Sequence, residues 1–186
     1  MDNLILRYLK FSNRFAKANR VIDICATFAT ARAVLIFMPN QLVAFGFARK
    51  FVPQLISSFP QAKVNFVLRK NFESLMDHKD NYGTIFVADN DVNYFGLPKK
   101  NLRQRVLATQ HDIVIDLNDD FHLLSTYLCQ KSKAALKICL DHVNREPFYN
   151  FSFRSQLQRE LEEKYRRLVQ YLKAFVVART TDSISA

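Results

Sequence analysis

The sequence predicts an α/β protein: a Rossmann-like, doubly wound, mostly parallel sheet of about five strands, with an amphipathic helix before it and a long helix after it. Three observations carry that prediction. Ala33-Val34-Leu35-Ile36-Phe37-Met38 is an unbroken apolar run of strand length, stopped by Pro39-Asn40-Gln41. Apolar residues then recur at helical spacing from Leu42 to Phe59, Pro60 ends that helix, and Lys63-Val64-Asn65-Phe66-Val67-Leu68 reads as a second strand. A strand apolar on both faces, a helix and a second strand make a right-handed βαβ unit with parallel strands. Short β-rich runs keep alternating with helical segments as far as residue 140, the pattern of an open sheet wound in both directions.

The elements follow in order. Residues 3–20 carry Leu4, Tyr8, Phe11, Phe15 and Ala18 on one helical stripe and Arg7, Lys10, Arg14 and Lys17 on a neighbouring face, an amphipathic basic helix. Residues 21–32 read as a mixed connector. After the βαβ unit come a short helix over 71–78, a strand at Thr84-Ile85-Phe86-Val87 and a helix from Pro98 to Ala108. A buried strand at 112–117, a helix at 121–130 and a fifth strand at 134–140 complete the alternation. Ser155, with Gln158 at the capping-box position, opens a long helix to about Ala178, with Leu161, Tyr165, Leu168 and Leu172 on its buried stripe. The expected division is thus 1–32 (basic helix and connector), 33–153 (Rossmann-like domain), 154–179 (C-terminal helix) and 180–186 (flexible tail).

At 186 residues and 49% hydrophobic content the chain is long and apolar enough for a full core. Three widely spaced cysteines, Cys25, Cys129 and Cys139, form no CxxC or Cys/His metal spacing and read as free thiols in a reducing compartment. No signal-peptide pattern opens the sequence and no run of about 18 apolar residues occurs, so the expected location is cytoplasmic. The net charge of +10 is uneven. Residues 1–32 hold six basic and two acidic side chains and residues 154–186 hold seven and four, so seven of the ten net charges lie at the two ends. That distribution favours contact with an acidic surface through the end helices, and the expected place is peripheral at the cytoplasmic face of a membrane.

The strand Val34–Met38, the helix end Leu55-Ile56-Ser57-Ser58-Phe59-Pro60, the run Gln61–Val67, the segment His111-Asp112-Ile113-Val114-Ile115-Asp116-Leu117 and Ser132–Ile138 together resemble one known pattern. It is the N-terminal domain of family 9 glycosyltransferases, the ADP-heptose:lipopolysaccharide heptosyltransferase type, over roughly residues 33–140. The resemblance implies one half of a two-domain GT-B fold whose second half, absent here, holds most of the sugar-nucleotide. It also implies a Gly-Asp pair early in the first helix, with the Asp as catalytic base. Counting back from Phe59-Pro60, that pair falls on Val43-Ala44, and neither side chain can take a proton. The expectation is a degenerate, non-enzymatic half-transferase.

Other chemistry is thin. Polar residues follow the strands at Asn40 and Gln41 and at Asp116, Asn118 and Asp119, the carboxyl edge where open parallel sheets bind ligands. Asp119-Asp120 and Asp89-Asn90-Asp91 have oxygen donors for a divalent ion, but caps and turns explain them as well, and no metal or cofactor is expected. Gly46, Gly83 and Gly96 are too scattered for a GxGxxG or Walker loop. The four histidines are isolated in sequence, and no Ser or Cys sits in a nucleophile elbow.

The function expected on these grounds is a non-catalytic accessory, linker or scaffold subunit. It would dock through Arg7, Lys10, Arg14 and Lys17 on an acidic or membrane-bound protein complex, or on an anionic membrane surface. Phe148, Tyr149 and Phe151 are either an apolar anchor for that partner or a final strand and core plug. One alternative is a glycosyltransferase-related protein that binds a sugar acceptor at the Asn40/Asp116 edge. Another is nucleic-acid binding through the Lys99, Lys100, Arg103 and Arg105 cluster, for which the sequence has no RNP or helix-turn-helix signature.

Overall fold

The computed structural model describes residues 7, 10, 22–76, 82–154 and 160–182, with side chains in the last helix as far as Phe175. Helix α1 (Ile24–Thr30) leads into strand β1 (Ala33–Phe37), and β1 is followed by α2 (Leu42–Arg49), α3 (Val52–Ser57) and β2 (Lys63–Arg69). Then come β3 (Gly83–Val87), α4 (Lys100–Leu107), β4 (Ile113–Asp116), α5 (Leu123–Lys131), β5 (Leu136–Leu140), β6 (Phe151–Phe153) and α6 (Leu161–Asp182). The sheet has six strands in the order β3-β2-β1-β4-β5-β6, and every pairing is parallel. The chain winds from β1 outward to β3, returns to β4 beside β1, and winds outward again, so the sheet is doubly wound as the sequence predicts.

All five residues of β1 are buried because side chains on both faces of a central strand meet helices. Val34 and Ile36 join Phe45, Leu55, Phe66, Ile113, Tyr165, Leu168 and Leu172 on the face covered by α1, α2, α3 and α6. Leu35 and Phe37 point the other way, to Leu102 and Val106 of α4 and Leu124 and Leu128 of α5. Burying a side chain such as Phe45 contributes about 1.5–3 kcal/mol. The C-terminal helix is therefore part of the core layer: Tyr165 is 1% exposed, and Phe175 stacks on Phe28 of α1 with ring centroids 5.1 Å apart.

Several expectations are corrected. The sheet has six strands rather than about five, because Phe151–Phe153 pairs with β5 in the register Ile138↔Phe151. The helix expected over 42–59 breaks at Lys50 and Phe51, since Pro53 in the first turn of α3 has no N–H to donate back to residue 49. Lys70–Leu75 is a 3₁₀ turn where a helix over 71–78 was expected. The connector 21–32 contains α1, capped by Asp23, whose carboxylate accepts from Ala26 N at 2.9 Å. The last helix runs to Asp182, three residues into the stretch read as tail, while residues 183–186 and the Ser155/Gln158 cap lie outside the described residues. Arg7 and Lys10 are helical, as expected for residues 3–20, and the rest of that segment, with Arg14 and Lys17, is likewise outside.

Candidate functional site

The strand order changes direction between β1 and β4, which leaves a crevice beyond the carboxyl ends of these strands. Asp116 ends β4 opposite Phe37 and, by the alternation along the strand, points to the α4/α5 face together with Val114. Neither it nor Arg145, from the β5–β6 connection, has any exposed surface. Arg145 Nη2 lies 2.5 Å from Asp116 Oδ2. That contact is one of charge rather than a directed hydrogen bond; the directed bond runs from Nη1 to the carbonyl of Asn118, and Nε has no partner. Tyr149 OH at 2.5 Å and Ser125 Oγ at 2.7 Å donate to Asp116 Oδ2, and Asn118 donates to Oδ1 through its side chain at 2.7 Å and its backbone at 3.0 Å. Burial alone would raise the Asp116 pKa; the Arg145 charge and the bonds from Tyr149, Ser125 and Asn118 outweigh it and hold the carboxyl below its usual range. Tyr149, buried beside that carboxylate, is pushed well above the ordinary phenol value.

Asn118 carries this network to the surface, because its Oδ1 accepts from the backbone N–H of Asn40 at 2.9 Å. Above the pair lies a cavity of about 210 Å³ whose wall includes Asn40, Arg69, Val92, Asn118, His122 and Ser125. Val67, Leu68, Val87 and Leu124 give it an apolar floor. Asn118 bonds to Asp116 and to Asn40 N, and Ser125 to Asp116, so Asn40, His122, Arg69 and Asp89 bring the remaining polar side chains of the wall. His122 Nδ1 is buried without a partner, and burial lowers the imidazole pKa, with Asp116 opposing and Arg145 and Arg69 reinforcing. Arg69 Nη2 meets Asp89 Oδ1 at 3.2 Å on the rim, where the Asp89 side chain is 96% exposed.

Of the edge residues expected from sequence, Asn40 and Asn118 line the cavity. Asp116 lies beneath it and is committed to Arg145, so it offers a ligand no free oxygen, a correction to the expected edge. Gln41 is exposed at the start of α2 and makes no cap bond. Asp119 is half-buried outside the cavity wall, and Asp120 pairs with His142 Nε2 at 3.0 Å. Asp91 serves as a cap and ion partner, accepting from Ala88 N at 2.9 Å and Arg105 Nη2 at 2.7 Å. Among the described residues, no group of three or more His, Cys, Asp or Glu could hold a metal ion, and no helix is long and apolar enough to cross a membrane.

Of the docking residues, Arg7 is exposed, whereas Lys10 is half-buried with Nζ 3.3 Å from Asn144 Oδ1. Phe148 and Tyr149 are 4% and 7% exposed, packed with the α4/α5 face, and Phe151 is a half-buried residue of β6 stacked on Tyr171. The strand-and-core reading of this segment therefore replaces the anchor reading, because the apolar surface is already spent inside the fold. Among the described residues, exposed large apolar side chains are Tyr171 of α6 and, in connections that follow β1, β3 and β5, Leu42, Val43, Tyr94, Phe95 and Val143. Leu42 and Val43 open α2, where Val43 is 70% exposed while Ala44 faces the core. Arg69, His122, Ser125 and Arg145 were missed by sequence reasoning. The three cavity residues stand at a strand end and in or beside the first turn of α5, positions that could have flagged them; a lone Arg in the polar run after β5 has no such signal.

The strand order, the helices on both faces and the cavity at the switch point define a Rossmann-like α/β domain. By sequence, the chain belongs to the family described as a family of unknown function, DUF6913, which matches residues 32–175. No curated protein matches it. In structure it is similar to a glycosyl transferase of family 9 from Veillonella parvula, with a TM-score of 0.60 and 17% identity over 76% of this chain and 41% of that one. It is similar also to the E. coli heptosyltransferase WaaC solved with ADP, with a TM-score of 0.56 and 21% identity over 74% of this chain and 45% of that one. E. coli ADP-heptose lps heptosyltransferase II gives a TM-score of 0.56 and 12% identity, over 74% and 40%. At these identities the likeness is one of fold, and the chain spans less than half the length of the structures it matches.

Proposed function

We propose that this protein is a non-catalytic, glycosyltransferase-related binding domain that seats a small polar ligand of the sugar-acceptor class in its carboxyl-edge cavity. The observation that carries the reading is the cavity at the switch point, where Asn40, Arg69 and His122 bring polar side chains over an apolar floor. At about 210 Å³ it suits one ring rather than a nucleotide sugar. Three features favour a binding role over glycosyl transfer. The position where the resemblance puts a base is occupied by Ala44, buried at 2% exposure; its neighbour Val43 does not titrate; and of the carboxylates at the cavity, Asp89 in its lining pairs with Arg69 and Asp116 beneath it is held by five contacts. The test is a titration of the isotope-labelled chain with methyl glycosides and sugar phosphates, followed by amide shifts. Saturable shifts at Asn40, Val92, Gly96 and His122, with no turnover of sugar nucleotide, support the reading. Shifts confined to other surfaces, or none, refute it.

A second reading is the accessory subunit that docks on an acidic or membrane-bound complex at the cytoplasmic face. Arg7, exposed on a helix, and the apolar side chains Leu42, Val43, Tyr94, Phe95 and Val143 favour it. A mild-detergent pull-down of the tagged chain separates the two. A stoichiometric complex lost when Arg7, Lys10, Arg14 and Lys17 become Glu supports docking, and recovery as a free monomer sinks it.

A further inference from the structure

We infer that the ligand of this cavity carries an anionic group, a carboxylate or a phosphate, received by Arg69 and His122. The inference rests on the binding reading above and adds the charge of the ligand to it. Arg69 ends β2, and its guanidinium presents five N–H donors. Of these, Nη2 meets Asp89, whose carboxylate is almost wholly in water, and such a rim pair exchanges readily for a better acceptor. The negative charge nearest below the cavity, Asp116, is consumed by Arg145 and its three other donors. His122 therefore feels the charge of two guanidinium groups, Arg69 from β2, which lines the same cavity, and Arg145 from the β5–β6 connection. Its one opposing carboxylate, Asp116 of β4, is already paired.

An anion in the cavity supplies what this arrangement lacks. Its oxygens accept from the unused Arg69 N–H groups and lie against the part of the His122 ring that lines the wall, whose protonated form they favour. The Asn40 carboxamide on the same wall gives a further donor. A neutral hydroxyl could satisfy His122 and Asn40, but it would leave the Arg69 charge with the exposed Asp89 alone. Proton uptake by His122 is favoured once the anion is in place, so affinity rises as the pH falls from 8 to 6.

The experiment titrates the full chain with sodium acetate and with inorganic phosphate, against sodium chloride at matched ionic strength, and reads amide and imidazole shifts. The expected result is saturable binding at Asn40, Ser125 and the His122 ring, weakened about tenfold or more by Arg69→Gln. Asp89→Asn, which removes the competing rim carboxylate, strengthens it about threefold. Acetate stays ionised from pH 6 to 8, so its pH profile isolates His122, and His122→Gln flattens that profile. Tighter acetate than phosphate assigns a carboxylate ligand and the reverse a phosphate, either outcome supporting an anion site. If methyl glycosides shift the cavity residues and the anions do no more than chloride, or if Arg69→Gln binds the anions as wild type does, the anion site is wrong and the binding reading stands. If neither class of probe reaches the cavity, both fall.

Discussion

Replacing Arg145 with Met tests whether the Asp116–Arg145 pair holds the β5–β6 connection onto the sheet. The pair is fully buried with a 2.5 Å contact, and the substitution keeps an unbranched apolar stem, two atoms shorter, while removing the charge. Breaking a buried ion pair by removing one partner costs about 3–5 kcal/mol, since the remaining charge stays in the interior uncompensated. Against a total stability of about 5–15 kcal/mol, that is a large fraction. At about 2–4 °C per kcal/mol for a chain of this size, Tm falls by about 6–20 °C. The loss has a pH signature. In the native protein the depressed Asp116 pKa contributes stability above the unfolded carboxyl value of about 3.9, and that contribution is lost as pH falls through the folded value. Without Arg145, burial dominates and raises the folded pKa, so the Asp116 penalty appears above about pH 4 and is relieved by acid. Urea denaturation followed by circular dichroism at pH 7 and pH 5 therefore finds a smaller deficit at pH 5. Adding Asp116→Asn to Arg145→Met recovers much of the loss at pH 7. A deficit under about 1 kcal/mol, or one equal at both pH values, refutes the account of the cluster.

Two other outcomes follow from the packing. With a thiol reagent at neutral pH, Cys25, which is exposed, reacts in the native protein, whereas Cys129 and Cys139 react only after unfolding. Burial pushes Cys139 up to about 11 and Cys129 further still; intact-mass measurement of native and unfolded samples counts the labelled sites. Gly96→Ala loses about 1–2 kcal/mol in denaturant melts, because φ at this residue is +75° and an L side chain is strained there. The cost is conformational rather than steric: the nearest atom to the added methyl, Leu123 Cδ2, is at an ordinary 3.7 Å.

The fold was legible wherever a segment's own pattern determined its environment. The run Ala33–Met38 is apolar on both faces because helices cover both faces, and the stripe Tyr165, Leu168, Leu172 marks the side of α6 that meets the sheet. What failed was local geometry overruled by one residue, as where Pro53 splits the expected helix into α2 and α3. The site was legible by half. Asn40 and Asn118 follow strands and so fall on the ligand edge, but the role of Asp116 depends on Arg145, twenty-nine positions on, which only the tertiary fold brings beside it. Phe148 and Tyr149 read in sequence as either a surface anchor or a core plug because nothing local says that their connection packs them against the α4/α5 face.

The central place of β1 also bears on how the chain is made. β2 can pair with β1 as soon as residues 63–69 are available, but the other side of β1 waits for β4 at Ile113–Asp116. Residues 38–112 separate the two strands, so at ribosomal speeds β1 waits on the order of ten seconds with an unpaired edge. That edge belongs to an apolar strand, the kind of surface that recruits a wrong partner. A truncated chain ending before residue 113 keeps the edge open indefinitely, so nascent-chain protection by a chaperone matters most over this window, and the arrival of β4 closes it.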